Sequence, residues 1–464
     1  QNTTMAEPQS IQKQDQTATE ELKDFLLATH KEYDVFPTAE VPTAHFCASL
    51  HAPTFAEDAR ADVDICAVVD RSGSMGVKKM KLVKETLNFV STQLTKADSF
   101  GVVSFDTGVR TDMELVKMTP SNKTTLKRKV SQIKAGSSTN LSGGLFKGLE
   151  ELKATKVQNK VRSVWLLTDG LANHGISKSP ALVKALKTKL EEQMNAQVFT
   201  FGYGDDHDEK MLRELAQAAN GMYYYVENPD DIASSFADCL GGLLSVCAQN
   251  IKMSIIPENG CKVKKIMGKI KTEVKDGVHT LDLGDMYSEE RRNVVAQFEL
   301  PACGESEEFV VATYKTEFFN VMSCVNAVIE QKVVIKRKSE LPKEQTRDYF
   351  MDVQINRIIS SDAMEEGQVV GKSDLKKAQG IVDAAIKYVK ESISASDALC
   401  IEMIEDLEEI RADMKDRVTY KNKASKKMQS KAMKHRRERG CGDRAGRGGY
   451  AISKKAEYHD KANQ

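Results

Sequence analysis

Asp70-Arg71-Ser72-Gly73-Ser74-Met75 follows the apolar run DICAVV and sets one carboxylate and two hydroxyls almost side by side. All three are hard oxygen donors, the kind that small divalent cations take. Two further segments offer the same chemistry. GSSTNLSGG (136–144) contains Thr139, and WLLTDG (165–170) ends an apolar run on Asp169. Together Asp70, Ser72, Ser74, Thr139 and Asp169 form an oxygen-only set suited to Mg2+ or Mn2+, which prefers octahedral coordination and retains waters. Two carboxylates do not over-neutralise a divalent ion, so it stays electrophilic toward a carboxylate from outside. The set therefore predicts a binding device. Nothing like a nucleophile elbow surrounds Ser72 or Ser74, and no full Gly-x-x-x-x-Gly-Lys-Ser/Thr phosphate loop occurs. We expect no enzyme, no catalytic residues and no small-molecule substrate.

Donors so far apart in sequence need a scaffold to converge. From Asp62 to about Ala248, short β-branched runs (DICAVV, SFGVVSF, RSVWLLT, AQVFTFG, GMYYYV) alternate with helical patterns. This alternation predicts an α/β fold, a doubly wound, mostly parallel sheet with helices on both faces. The Asp70 turn then lies at the carboxyl end of a strand, where such sheets bind ligands. A helix should follow from about Val77, with Gly73 and Gly76 letting the turn close.

The flanking segments read differently. Residues 1–20 read as a disordered lead, and 19–33 have helical spacing in Leu22, Phe25, Leu26 and His30. Val41–Leu50 favours a strand, expected to pair with strands from 250–338 because a lone strand would leave an open edge. The predicted units are 21–60 (helix and strand, part of a sandwich), 61–248 (α/β), 249–340 (antiparallel β-sandwich) and 341–420 (α-helical, with Ser373 and Ser396 as caps). Residues 421–464 carry 14 Lys/Arg against 4 Asp/Glu and read as a basic flexible tail. Residues 401–420, just upstream, hold seven Asp/Glu and three Lys/Arg.

Bulk composition selects no partner. The 464 residues allow about three domains at roughly 150 each. Lys+Arg and Asp+Glu both number 67, so no global field steers the chain to nucleic acid or acidic membranes. The tail has no aromatic before Tyr450 to stack on bases, so nucleic acid is not expected. No run is long and apolar enough for a membrane span. Residues 1–20 lack the apolar core of a secretory signal, which points to an intracellular, cytoplasmic protein. Four residues precede Met5, so an incomplete N-terminus would leave an extracellular location open. The nine cysteines are scattered, with no zinc spacing, and Cys66 and Cys239 sit in apolar runs as reduced, buried thiols would. The acidic residues of GDDHDEK (204–210) read as the N-terminal caps of the helix that follows.

DRSGSM, STNL with Thr139 and TDG with Asp169 resemble the metal-ion-dependent adhesion site of von Willebrand factor type A (VWA) domains, over roughly residues 60–245. The resemblance implies that Ser72, Ser74 and Thr139 coordinate through hydroxyls while Asp70 and Asp169 act directly or through water. It also implies a Rossmann-like fold and a protein ligand presenting Asp or Glu to the metal. LGDMYSEERRNVVAQFELP (283–301) and RDYFMDVQINRII resemble the region after the A domain in bacterial A-domain proteins and in plant ubiquitin ligases of the wavy-growth type. Those ligases carry a RING zinc module ahead of it, whereas residues 1–60 here contain only Cys47. The expected function is metal-dependent protein binding, as an adhesion or scaffold protein. The alternatives are a substrate-binding adaptor related to those ligases, or a structural assembly component.

Overall fold

The computed structural model describes residues 25–54, 60–154, 158–169, 171–193, 196–204, 207–226, 230–439, 450 and 452–462. Three strands come first: β1 (Leu26–Lys31), β2 (Val35–Pro37) and β3 (Val41–His51). An alternating region follows, with β4 (Val63–Asp70), α1 (Gly76–Gln93), β5 (Ser99–Phe105), β6 (Val109–Lys117), α2 (Pro120–Ser131), α3 (Leu141–Ala154) and β7 (Val161–Thr168). It continues through α4 (Ser179–Gln193), β8 (Gln197–Tyr203), α5 (Glu209–Ala218), β9 (Tyr223–Val226) and α6 (Asp230–Leu244). Every residue of β4, β5, β7 and β8 is buried, as befits parallel strands covered on both faces. The strand order is β6-β5-β4-β7-β8-β9, parallel throughout except for β5 with β6. The connection leaving β4 runs to β5 on one side, while that leaving the adjacent β7 runs to β8 on the other, so the two diverge at neighbouring carboxyl ends. That divergence opens the crevice where doubly wound sheets place ligands.

Seven strands come next: β10 (Val246–Pro257), β11 (Lys262–Ile266), β12 (Thr272–Lys275), β13 (Val278–Tyr287), β14 (Arg291–Leu300), β15 (Ser306–Asn320) and β16 (Val325–Lys338). They form two sheets, ordered β1-β3-β14-β11 and β12-β13-β10-β15-β16-β2. β3 runs antiparallel to β14, from Val41 opposite Leu300 to His51 opposite Arg291. The α/β region is thus inserted between two pieces of one sandwich. Phe46 and Phe298, edge to face at 5.5 Å, pack in the sandwich core with Ile251, Met253 and Tyr314.

The helical layer comprises α7 (Tyr349–Val370), α8 (Leu375–Lys390), α9 (Ala398–Ala412), the single turn α10 (Arg417–Thr419) and α11 (Ser425–Arg437), while α12 (Ser453–Ala462) packs on α6 with Tyr458 in the core of the α/β region. Asp348, Asp374 and Asp397 cap α7, α8 and α9 by accepting from the backbone N–H groups of Met351, Lys377 and Leu399. For α8 and α9 the cap is therefore the aspartate after Ser373 and Ser396. A carboxylate there both accepts the orphan N–H and answers the helix dipole. Among the described residues no helix is long and apolar enough to cross a membrane.

Two further expectations are corrected. The helix expected within 19–33 is instead the strand β1 over Leu26–Lys31; residues 19–24, like the 1–20 lead, lie outside the described residues. Leu27 is buried while Leu26 is exposed, and the edge of β3 supplies the backbone partners along the whole strand. The basic tail is not all tail: α11 is folded, with Met428 in the core of the helical layer and Met433 in that of the α/β region. Its lysines face the acidic α9. Lys427 meets Asp413 at 2.8 Å, Lys431 meets Asp406 at 2.9 Å, and Lys434 meets Asp406 at 2.8 Å. Counting apolar residues missed this, because much of the docking comes from paired charge. Residues 440–449 lie outside the described residues.

Candidate metal centre

Asp70 is the last residue of β4 and is fully buried. Its Oδ1 accepts from the Ser72 backbone N–H at 2.7 Å and its Oδ2 from the Thr168 hydroxyl at 2.5 Å. Burial raises its pKa, opposed by the bonds from Thr168 and Ser72 and reinforced by the charge of nearby Asp169. A cation placed between the two carboxylates would relieve that penalty. Asp169, also fully buried, directly follows β7 and accepts from the Ser74 hydroxyl at 2.8 Å. The Ser72 and Ser74 hydroxyls lie 3.0 Å apart, so these two serines and Asp169 form one hydrogen-bonded chain.

Thr139 is buried one residue short of Asn140, whose carbonyl accepts from Gly144 N–H in the first turn of α3. Its backbone N–H donates to Asn173 Oδ1 at 2.8 Å, and its carbonyl accepts from the N–H groups of Asn173 and His174. Gly73 N–H donates to the Ser137 carbonyl and Gly136 N–H to that of Arg71, while the Arg71 side chain pairs with Asp106 at 2.8 Å. The three donor loops are thus laced together by backbone and side chain. Gly76 has φ +48°, a conformation glycine adopts readily, and a Cβ on Gly136 would meet Asp106 Oδ2 at 2.0 Å. Gly73 has neither constraint.

Sequence reasoning missed Lys79 in the first turns of α1, whose Nζ lies 2.5 Å from Asp169 Oδ2. Lys78 and Lys79 read alike in a helix with many exposed lysines, so no sequence signal separates them. Thr168 was findable, being next to Asp169. Asp208, from the acidic cluster, caps α5 by accepting from Met211 N–H; Asp205 and Asp206 lie outside the described residues. Among the described residues no group of three or more His, Cys, Asp or Glu is arranged to hold a metal. The candidate set instead relies on two carboxylates supplemented by hydroxyls. Such donors fit a hard divalent ion, with Lys79 as the competing internal cation.

A family model described as von Willebrand factor type A domain matches residues 64–238, which spans all five candidate donors. The chain contains a von Willebrand factor type A domain. A second model, described as CPSF6-like, RSLD domain, N-terminal region, matches residues 347–441, the stretch that here forms α7 to α11. The chain is 24% identical to an uncharacterized protein of Synechocystis sp. over 245 residues, 51% of this chain and 56% of that protein. It is 26% identical to E3 ubiquitin-protein ligase WAV3 of Arabidopsis thaliana over 311 residues, 65% of this chain and 38% of the ligase. The chain therefore spans about half or less of the length of these relatives. A solved structure titled von Willebrand factor type A from Catenulispora acidiphila superposes with TM-score 0.66 at 16% identity, covering 85% of this chain and 91% of that one. The likeness in fold thus extends well beyond the VWA domain.

Proposed function

We propose that this protein captures a partner protein through Asp70, Ser72, Ser74, Thr139 and Asp169, by way of a divalent cation held there. VWA domains typically serve protein interaction and adhesion, which is the coarse function this chain shares. The observation that carries the finer reading is the convergence of three donor loops at the strand switch point, where Ser72, Ser74 and Asp169 form one hydrogen-bonded chain beside buried Asp70. Bound Mg2+ or Mn2+ supplies a positive charge and a coordination position for an Asp or Glu of the partner. Asp70 and Asp169 hold charge, the hydroxyls donate oxygen without adding more, and the lacing of the loops keeps the set in place. No residue here is assigned a catalytic role.

A second reading, a substrate-binding adaptor, is favoured by the similarity to WAV3, which reaches past the VWA domain to 65% of this chain. A structural assembly component is the third. We also place the protein inside the cell, in keeping with buried thiols such as Cys66 and Cys239, which burial keeps protonated. Affinity capture from cell extract with Mg2+, with and without chelator, tests the proposal. Partners retained with Mg2+ and released by chelator, but absent with Asp70→Ala, support it. Partners indifferent to both changes contradict it.

A further inference from the structure

Away from the donor loops, a cavity of about 640 Å3 opens where the three layers meet, between α4 and α5 of the VWA domain, the β11–β12 and β13–β14 segments of the sandwich, and the end of α11. Its acidic lining is largely spoken for. Glu365 accepts from Lys269 at 2.9 Å and Arg436 at 2.9 Å, with Arg213 at 3.6 Å. Glu438 is held by the backbone and side-chain amides of Asn293, both at 2.6 Å. Glu214 accepts from the Ser179 hydroxyl and lies 3.9 Å from Lys210.

The cations are not all spoken for. Arg437, Lys187 and Lys271 line the same cavity and have no ion pair or side-chain hydrogen bond among the described residues. Against these three stands Asp282, whose carboxylate accepts from Gly284 N–H. Arg437 is partly buried at the last residue of α11. Burial first, then the nearby Arg439 and Arg292, push its guanidinium below the ordinary arginine value, the direction expected of a cation short of counter-charge.

We propose that this cavity binds a small molecule carrying phosphate groups, seated on Arg437 with Lys187 and Lys271 at its mouth. The volume falls in the range of small-molecule sites and exceeds what a lone ion needs. A guanidinium offers a planar fork of donors that matches phosphate oxygens, and two exposed ammonium groups add point charge. Because the lining comes from all three layers, the ligand would also fasten the VWA domain to the sandwich and to α11.

The test is calorimetric titration of the full chain with sodium tripolyphosphate in divalent-free buffer. Wild type is expected to bind saturably, and Arg437→Gln about tenfold more weakly or not at all. The double variant Lys187→Ala, Lys271→Ala, altered only at exposed side chains, should lose affinity similarly while folding normally. Asp70→Ala, changed at the metal donors, should bind tripolyphosphate like wild type, which separates this site from the metal-dependent capture. No binding by wild type, or equal binding by wild type and both cavity variants, overturns the site. Citrate binding as tightly as tripolyphosphate overturns the phosphate assignment.

Discussion

Lys79 donates to Asp169 Oδ2 at 2.5 Å, so one carboxylate of the proposed donor set already carries a cation from the chain itself. Asp169 is fully buried, while the Lys79 side chain keeps 35% of its exposure and has room to withdraw. An ammonium so placed competes for one carboxylate oxygen and repels an incoming ion, and in partly buried surroundings that repulsion is stronger than in water. Lys79→Met should therefore bind Mg2+ about tenfold more tightly than wild type by titration calorimetry. Unchanged or weaker affinity would show that Lys79 does not oppose the ion.

A bound ion stabilises the native state alone, so Mg2+ should raise the melting temperature of wild type. At a hundredfold excess over the dissociation constant, the gain is about 2.7 kcal/mol. Ser72→Ala removes one neutral donor and should keep part of that gain. Thermal melts with and without Mg2+ check this, and a Ser72→Ala protein with the full gain argues against its role as a ligand.

Deleting the chain after Tyr420 removes α11, and with it Met428, Met433 and the pairing of Lys431 and Lys434 with Asp406. It also removes Arg439, which is buried and bonds to Glu290 at 2.8 Å. The melting temperature should fall by more than ~5 °C, since each lost kcal/mol costs a few degrees in a chain of this size. An unchanged melting temperature would mean that α11 contributes nothing to stability.

Acid should destabilise the protein through its buried histidines. Burial holds His207 down to about 3 and His51 to about 4, and it also lowers His435. Unfolded, each takes up a proton near pH 6.5. The unfolded chain thus binds more protons, and stability rises with pH across this window. The contribution is full above about pH 6.5 and shrinks as pH falls toward the folded values. Urea denaturation midpoints should drop between pH 7 and pH 5, and by less in His207→Gln. The same drop in that variant would clear His207 of a role.

The Asp70 turn and the sheet that carries it were legible because both are local patterns. Asp70, Ser72 and Ser74 share one turn, and the strands β4, β5, β7 and β8 are mostly apolar in sequence and buried along their whole length. The insertion of the VWA domain into the sandwich followed from asking what would cover the strand at Val41–Leu50. What stayed hidden depended on partners remote in sequence. β1 is a strand because β3 offers it an edge, and α11 is ordered because α9 presents Asp406, Glu409 and Asp413 to its lysines. Lys79 was invisible for the same reason, since its partner lies 90 residues away.

The claim that Asp70 anchors a divalent ion is tested most directly by calorimetric titration of Mn2+ into wild type and Asp70→Ala. Asp70→Ala leaves Ser72, Ser74, Thr139 and Asp169 in place while removing a buried carboxylate. Wild type is predicted to bind one ion saturably and Asp70→Ala to bind none over the same concentrations. Equal binding by the two proteins would contradict the account.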